Sequence, residues 1–239
     1  MKISIIIPTL DEENAIEKTV RQFEKLQIPH EVVVSDSESK DQTVTIARRY
    51  ADKVVELRAA HHTIALGKNE GAKVAQGNYF AFVDADVTIP DTDNFFKRAL
   101  ADFESNPRLV GLGSFIRVAP DVERRNDIFF RTVYNYFMLF MNNVLHMGIA
   151  AGEFQMVRAG AFKSIGGFNN NIVAGEDYDL FLRLVKIGRV RTDSSLVIYD
   201  QGRRAHAAGW VRLFAIWTIN AMSVALFGKS MSKKWKEIR

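Results

Sequence analysis

The sequence lacks cysteine altogether, which excludes disulfide bonds and thiolate chemistry. It also lacks internal repeats, low-complexity stretches and any convincing linker. Neither sign of charge dominates, because 32 basic residues against 28 acidic ones leave a net charge of +4. That mild excess suits an anionic partner such as a nucleotide, a nucleic acid or a lipid headgroup, but it does not select one of them.

The composition is ordinary for a folded soluble protein. Hydrophobic residues make up 47% and charged residues 25% of the 239 positions, which allows one large domain or two small ones with a sizeable core. The opening apolar run, "MKISIIIPT", is too short to supply the hydrophobic region and cleavage site of a signal peptide. We therefore expect a cytosolic protein.

Apolar runs and helical periodicities alternate along the first half of the chain. Strands are predicted at 2–8, 31–35, 53–57 and 79–83 because these runs are short, nearly continuously apolar and rich in β-branched or aromatic residues. Helices are predicted at 43–50 and 67–75, and an earlier one where apolar residues recur one turn apart at Ile16, Val20, Phe23 and Leu26. Such alternation predicts a mostly parallel sheet flanked by helices.

The second half is less regular, with a strand predicted at 109–119 and helices at 128–147 and 177–187. The helix at 128–147 has an apolar face and a narrow polar stripe; the face includes Phe130, Val133, Phe137, Met141 and Val144, and the stripe contains Arg131, Asn135, Asn142 and His146. An apolar, aromatic helical segment follows at 210–227. We divide the chain into a domain at 1–200 and a C-terminal helix and basic tail at 201–239.

Polar clusters follow three of the predicted strands: "TLDEEN", "SDSESKDQT" and "DAD". Ligands of parallel sheets bind beyond the C-terminal ends of the strands, so the three clusters point to one binding edge. In the third cluster, Asp84 and Asp86 repel each other unless a cation, a partner or water intervenes. Mg²⁺ or Mn²⁺ would suit two such carboxylates together with substrate phosphates. The triplet alone also fits a solvated turn whose aspartates cap the next segment.

Four stretches resemble, in order, the motifs of the family 2 glycosyltransferases of GT-A fold, which take sugars from nucleotide diphosphate donors. They are "SIIIPTLDEEN", "VVVSDSESKDQT", "GKNEGAKVAQGNYFAFVDADV" and "VRAGAFKSIGGFNNNIVAGEDYDLFLRL". The likeness covers roughly residues 2–190 and implies a Rossmann-like α/β domain. Within the family the chain looks similar to the dolichyl-phosphate mannose synthases and their relatives.

The resemblance implies a nucleotide site in which Asp36 binds the base and Lys68 meets a donor phosphate. The implied nucleotide-binding set is Pro8, Thr9, Asp11, Glu13, Asp36, Lys68 and Asp84. Simpler interpretations stay open: Asp36 as a turn residue, the acids of "DEE" as solvated charges near a helix N-terminus, and Lys68 as an exposed lysine. Asp11 stands where the family commonly has Asn, and Glu38 where it often has Gly, so the identity of the nucleobase is left open.

The same resemblance implies the catalytic and metal-binding groups. Asp177 looks like the family's general base and Glu176 would position it or contact the acceptor; the alternative is a pair of acids favoured by a helix N-terminus. The implied metal ligands are Asp84, Asp86 and His206, and the implied phosphate clamp is Arg203 or Arg204. A lone histidine is more often a surface or packing residue. The Q-x-x-R-W motif of polymer synthases is absent, which favours a single addition.

Two apolar helices raise the question of a membrane. The segment 210–227 approaches the roughly 20 residues needed to span a bilayer, but it is interrupted by Arg212, Thr218, Asn220 and Ser223. We expect this helix and the one at 128–147 to lie in the headgroup interface, helped by the basic residues Lys229, Lys233, Lys234, Lys236 and Arg239. Alternatively, both pack on the domain or at a dimer contact.

The predicted function is therefore a glycosyltransferase that needs Mn²⁺ or Mg²⁺ and inverts the sugar's anomeric centre. It would move one sugar, mannose from GDP-mannose first and a UDP-sugar second, to a lipid-linked or saccharide acceptor at the cytosolic face of a membrane, with no nucleic-acid partner. The alternatives are a UDP-sugar-dependent transferase with a soluble acceptor, a nucleotidyltransferase and a non-catalytic membrane-binding module. A nucleotidyltransferase would carry a Gly-rich basic loop where "TLDEEN" stands, and a module leaves the strand-end carboxylates unexplained.

Overall fold

The computed structural model describes residues 1–58 and 63–232. His61 and His62, and the tail residues Lys233, Lys234, Lys236 and Arg239, lie outside the described residues. The strands are β1 Ile3–Thr9, β2 His30–Asp36, β3 Lys53–Glu56, β4 Tyr79–Val83, β5 Leu109–Val118, β6 Phe154–Arg158 and β7 Arg189–Asp200. The helices are α1 Ile16–Arg21, α2 Thr43–Tyr50, α3 Ile64–Val74, α4 Thr92–Ser105, α5 Arg125–Asn143, α6 Ala159–Ser164, α7 Glu176–Leu184, α8 Arg203–Ala208 and α9 Trp210–Phe227.

The seven strands form one sheet in the order β3-β2-β1-β4-β6-β5-β7. Among the described strands, β6 runs antiparallel to both of its neighbours, and every other pairing is parallel. The prediction of a mostly parallel sheet flanked by helices is confirmed. The boundary proposed at residue 200 falls between β7 and α8 and stays a prediction.

Both faces of the sheet are buried, as the continuous apolar runs predict. In β1, Ile5 and Ile7 belong to the core on one face and Ile6 to the core on the other, and all three are fully buried. In β4, Ala81 and Phe82 divide between the same two cores. Because side chains alternate along a strand, a strand in this position needs apolar residues at every position.

Helix α5 carries its polar stripe inward and part of its apolar face outward. Arg131, Asn135 and Asn142 are buried, whereas Val133 and Phe137 are about half exposed, at 52% and 51%. Buried polar groups are tolerated where they find partners, and here the Asn135 amide donates to Ile116 O (2.9 Å) and accepts from Ile116 N (3.0 Å). The helix ends at Asn143 rather than at 147, so the predicted stripe residue His146 lies beyond it.

Helix α9 has the bounds expected from the sequence and is long and apolar enough to cross a membrane by length and composition. Its inward side packs on the domain. Near its start, Trp210 stacks on Phe130 with ring centroids 5.6 Å apart, and Trp217 contacts Tyr134 at 5.5 Å. Near its end, Asn220 is buried and accepts a hydrogen bond from Ser232 N (3.0 Å). The helix therefore lies along the surface of the sheet domain, beside α5.

Candidate active site

One cavity of about 1040 Å³ opens at the C-terminal edge of β1 and β4. Most of the residues predicted for the site line it: Pro8, Thr9, Lys68, Asp84, Asp86, Glu176, Asp177, Arg203 and Arg204. Four predicted residues are not among its lining: Asp11, Glu13, Asp36 and His206. The fold thus brings together groups from β1, β4, α3, α7 and α8, which are far apart in sequence.

Asp36 is buried behind the cavity, where its carboxylate fastens the loop after β2. It accepts hydrogen bonds from Thr9 Oγ1 (2.9 Å), from Ser39 N (2.9 Å) and from Ser39 Oγ (2.5 Å). Its exposure is 1%, so a base in the cavity does not reach the carboxylate in this conformation. In this structure Asp36 acts as a loop residue, and its contact with a nucleobase stays a prediction.

Asp11 and Glu13 join the loop after β1 to the loop after β2. Asp11 has a positive φ of 51°, its N–H donates to Ser39 Oγ (2.7 Å), and its carboxylate accepts from Lys40 N. Glu13 accepts from Gln42 N (2.9 Å). In this structure both acids make loop-to-loop hydrogen bonds, and their contacts with a ribose stay a prediction. Glu12, between the two, lines the cavity.

Asp84 and Asp86 follow β4 and both line the cavity. Burial raises the pKa of Asp84 to about 8, and the charges of Asp86 and Glu153 push the same way against the opposing Lys68. Asp86 is held by Arg203, whose Nη2 lies 2.9 Å from Asp86 Oδ2 and 3.0 Å from Glu12 Oε1. Arg203 therefore joins α8 to the ends of β1 and β4 across the mouth of the site.

The side-chain oxygens of Asp84 and Asp86 fit a hard divalent cation, because the like charges of the two carboxylates destabilise each other without a counter-charge. Within residues 1–58 and 63–232, no group of three or more histidines and acids is arranged to hold a metal. The remaining ligands would have to come from a diphosphate and water, which is common for Mg²⁺ sites.

His206 is paired with an acid of α5 rather than lining the main cavity. Its Nε2 is paired with Asp127 Oδ2 at 2.8 Å, and Asp127 also accepts from Trp210 Nε1 at 2.7 Å. The ring thus fastens α8 to the first turn of α5, and it lines a separate surface pocket. In this structure the imidazole joins two helices, and the role of His206 as a metal ligand stays a prediction.

Lys68 lies at the base of the cavity and pairs with the predicted catalytic acids. Its ammonium is 2.7 Å from Asp177 Oδ1 and 3.7 Å from Glu176 Oε1, and it is 5.2 Å from the centre of the Phe168 ring. The residue is fully buried, so the interpretation as an exposed lysine is wrong. Burial lowers the pKa of Lys68, but the nearby Asp177 and Glu176 outweigh it and raise that pKa above its ordinary value.

Two glycines fix the position of these acids. Gly175 precedes α7 with a φ of 88°, a conformation that L side chains rarely adopt, and so directs Glu176 and Asp177 into the cavity. A Cβ on Gly152 would lie 2.6 Å from Asp177 Oδ2. Burial raises the pKa of Glu176 to about 8, with the charge of Asp177 adding to the effect. The two glycines thus fix the place of both acids in the cavity wall.

Sequence reasoning missed a second charged cluster in the cavity wall. Arg131 of α5 pairs with Asp200 at the end of β7 and with Glu153 Oε1 at 3.0 Å. Burial raises the pKa of Asp200 to about 7, and Arg131 opposes the shift. The signal was the polar stripe of the helix at 128–147, where an arginine in an otherwise apolar segment indicates a buried partner.

Comparison with known proteins decides the family. The pattern of "Glycosyl transferase family 2" matches residues 4–166, more than half of the chain. The chain belongs to glycosyl transferase family 2. This confirms the resemblance seen in the four motifs, and the rival interpretations as a nucleotidyltransferase or a non-catalytic module gain no support from it.

Several glycosyltransferases match most of this chain. An uncharacterized glycosyltransferase of Rickettsia prowazekii (strain Madrid E) is 26% identical over 221 residues, which are 86% of this chain and 64% of the relative. The mannosyltransferase PcManGT of Pyrobaculum calidifontis, solved with GDP-Man and Mn²⁺, is 20% identical with a TM-score of 0.76 over 94% of this chain and 64% of its own. S. aureus TarS residues 1–349, solved with UDP-GlcNAc, has 20% identity and a TM-score of 0.64 over 83% and 58%. These structures share the GT-A-like fold, and the chain spans about 64% of the length of the first two relatives.

Proposed function

We propose that this family 2 chain transfers one sugar from a nucleoside diphosphate donor to an acceptor, with inversion at the anomeric carbon. One observation carries the proposal: the Asp84–Asp86 pair after β4 and the Glu176–Asp177 pair at the start of α7 line the same cavity. The first pair suits the diphosphate end of a donor, and the second suits the nucleophile.

The donor would lie over the loops after β1 and β2, with Pro8 and Thr9 as its floor. GDP-mannose is our first candidate because PcManGT, which has the same fold, was solved with GDP-Man and Mn²⁺. A UDP-sugar is the second, because TarS was solved with UDP-GlcNAc. The base is best decided by direct binding, since Asp36 is engaged in the loop.

Asp84 and Asp86 would hold a divalent cation, Mn²⁺ or Mg²⁺. Such an ion neutralises the negative charge that develops on a departing diphosphate. Arg203 and Arg204 also line the cavity on the same side and supply guanidinium groups for the same phosphates. Arg203 would leave Asp86 and Glu12 to reach them.

At the acceptor end, Asp177 would accept the proton of an attacking hydroxyl group. Inversion requires the nucleophile to approach from the face of the sugar opposite the diphosphate, and the two acidic pairs reach the cavity from different elements, β4 and α7. Lys68 holds the Asp177 carboxylate in place, with its ammonium 2.7 Å from Asp177 Oδ1. A phosphate acceptor would already be anionic, and Asp177 would then only position it.

We place the enzyme on the cytosolic face of a membrane, where it would meet a lipid-linked or a saccharide acceptor. The support is the outward apolar face of α5 beside the outward face of α9, where Val211, Met222 and Leu226 are exposed. Amphipathic helices of this kind lie in the interface plane with their apolar face toward the acyl chains.

Thermal unfolding with GDP, UDP, CDP or ADP, each with and without Mn²⁺, tests the donor site. One diphosphate should raise the melting temperature by about 5 °C at 100 times its Kd, and only with metal. Asp86→Asn should abolish that shift, whereas Asp121→Asn, at an exposed position, should keep it. If none of the four nucleotides shifts the transition, the proposed function is wrong; if Asp86→Asn keeps the shift, Asp86 is not a metal ligand.

A further inference from the structure

The cavity continues past the catalytic acids into a groove between α5 and α9. We call it the α5–α9 groove; its walls are Val133, Tyr134, Phe137 and Met138 of α5 and Leu213, Phe214, Trp217, Thr218 and Ala221 of α9. Two polar residues of the same helices, Arg131 and Asn220, also line the cavity. Most of these side chains are hydrocarbon or aromatic. The inner end of the same cavity is the charged set of Lys68, Glu176 and Asp177. One continuous space is therefore polar at one end and apolar at the other.

The apolar end opens onto an exposed apolar surface. Val133 and Phe137 line the groove and are also about half exposed. Around them α5 and the turn after it expose further large apolar side chains: Ile128, Phe129, Tyr136, Phe140, Val144, Leu145 and Met147. Residues 132–145 contain no charged side chain. A hydrocarbon chain in the groove could thus continue outward without meeting a charge on α5.

We propose that the α5–α9 groove holds the hydrocarbon chain of an amphiphilic acceptor, whose polar end lies at Asp177. This inference rests on the proposed function and selects the lipid-linked acceptor over the water-soluble saccharide. Burying apolar surface in such a groove contributes roughly 25 cal/mol per Å². A saccharide would leave most of the groove's apolar walls exposed to water, because its hydroxyl groups need hydrogen-bond partners that ring and alkyl side chains do not supply.

The depth of the groove favours a hydrocarbon chain as its occupant over a second copy of the protein. A partner protein could cover Phe129, Phe140 and Leu145 on the outer surface. The cavity, however, runs inward past Tyr134 and Met138, and Met138 is 2% exposed. A flexible chain can follow that path to the carboxylates, whereas a folded surface cannot.

The test is photolabelling of the full chain with a farnesyl phosphate that carries a diazirine at the end of its chain, with crosslinks located by mass spectrometry. We expect crosslinks on α5 and α9 residues of the groove, and competition by unlabelled farnesyl phosphate. Ala221→Trp, which fills the groove, should reduce labelling at least tenfold. Met222→Trp, at the adjacent exposed position, should stay within twofold of the wild type.

A second pair of variants tests the groove if Ala221→Trp fails to fold. They are Val133→Trp in the groove and Phe129→Trp on the outer surface of the same helix. All four variants should keep the melting shift with the donor diphosphate and Mn²⁺, which separates this inference from the proposed function. Equal labelling of the groove variants and their controls would overturn the inference, and so would crosslinks confined to the outer surface. Light scattering that shows a dimer, with groove labelling appearing only after the dimer is broken, would assign the groove to a second copy and overturn it as well.

Discussion

Lys68 and Asp177, 109 positions apart in the sequence, meet at 2.7 Å at the base of the cavity. The contact ties α3, which packs on β1, to the first turn of α7. A buried ammonium beside two carboxylates makes the acid pair tolerable there, because an unpaired buried charge is strongly destabilising. The lysine thus positions the candidate base in this structure, and the donor-phosphate contact that the resemblance implies stays a prediction.

Lys68→Met should destabilise the protein by about 3–5 kcal/mol, because Glu176 and Asp177 lose their buried counter-charge. Urea unfolding monitored by circular dichroism measures the change. Lys73→Met is the control on the same helix: its side chain is 68% exposed and pairs with Glu70, so a loss within about 1 kcal/mol is expected. Similar losses for the two variants would contradict the buried pairing.

Gly152→Ala should reduce sugar transfer by about 10²-fold while leaving nucleotide binding within twofold, because the new methyl group would displace the Asp177 carboxylate by up to about 1 Å. Single-turnover transfer and nucleotide calorimetry separate the two effects. Gly160→Ala is the matched control, since its Cβ would meet no described atom within 4 Å. Unimpaired transfer by Gly152→Ala would show that the position of Asp177 is not critical.

Asn135→Leu should cost about 2–3 kcal/mol of stability, because Ile116 N and O would lose both hydrogen bonds in a buried site. Phe137→Asn, two residues on and half exposed, should change the free energy of unfolding by less than about 1 kcal/mol. Denaturant titration of both variants checks the orientation of α5. If Asn135→Leu kept the wild-type stability and Phe137→Asn did not, the apolar face of α5 would be the inward one.

The protein should lose stability in acid, because protonation of Glu31 removes the stabilisation that its carboxylate provides. Burial raises the pKa of Glu31, but hydrogen bonds from Lys53 Nζ (2.8 Å), Ser4 Oγ (2.6 Å) and Gln76 N (2.6 Å) outweigh it and lower that pKa from 4.5 to about 2. The folded pKa is below the unfolded one, so this stability is present above pH 4.5 and is lost as the pH falls toward 2. The shift is worth about 3 kcal/mol.

Urea unfolding of the wild type and of Glu31→Gln between pH 6 and pH 2.5 measures that contribution. The wild type should lose more stability than the variant across this window, because the glutamine cannot titrate. Parallel pH profiles would mean that Glu31 has an ordinary pKa in the folded state.

Several features of the fold follow from local sequence. The continuous apolar runs "ISIII" and "YFAFV" predict β1 and β4 because a strand buried on both faces needs apolar residues at successive positions, and both strands lie where expected. The bounds of α2 and α9 are also those expected from periodicity and composition. Asp84 and Asp86 share a cavity because they leave the same strand with one residue between them.

Sequence patterns identified fewer elements in the second half, where β6, α6, β7 and α8 were not predicted; in the first half only α4 was not predicted among the described elements. β6 is a five-residue strand that enters the sheet antiparallel between β4 and β5, so its place depends on partners distant in sequence. β7 alternates exposed and buried residues irregularly over a register shift in its pairing with β5. Local periodicity therefore carries little signal for either strand.

The sequence by itself determined which strands are buried, which family motifs are present and that acidic groups stand at the sheet's C-terminal edge. Only the tertiary structure decided which partner each charged group has: Lys68 pairs with Asp177, Arg203 with Asp86, and His206 with Asp127. It also decided that α5 turns its polar stripe inward. The physical reason is that strand burial is encoded by neighbours in the chain, whereas ion pairs and buried amides depend on groups that folding brings together from distant segments.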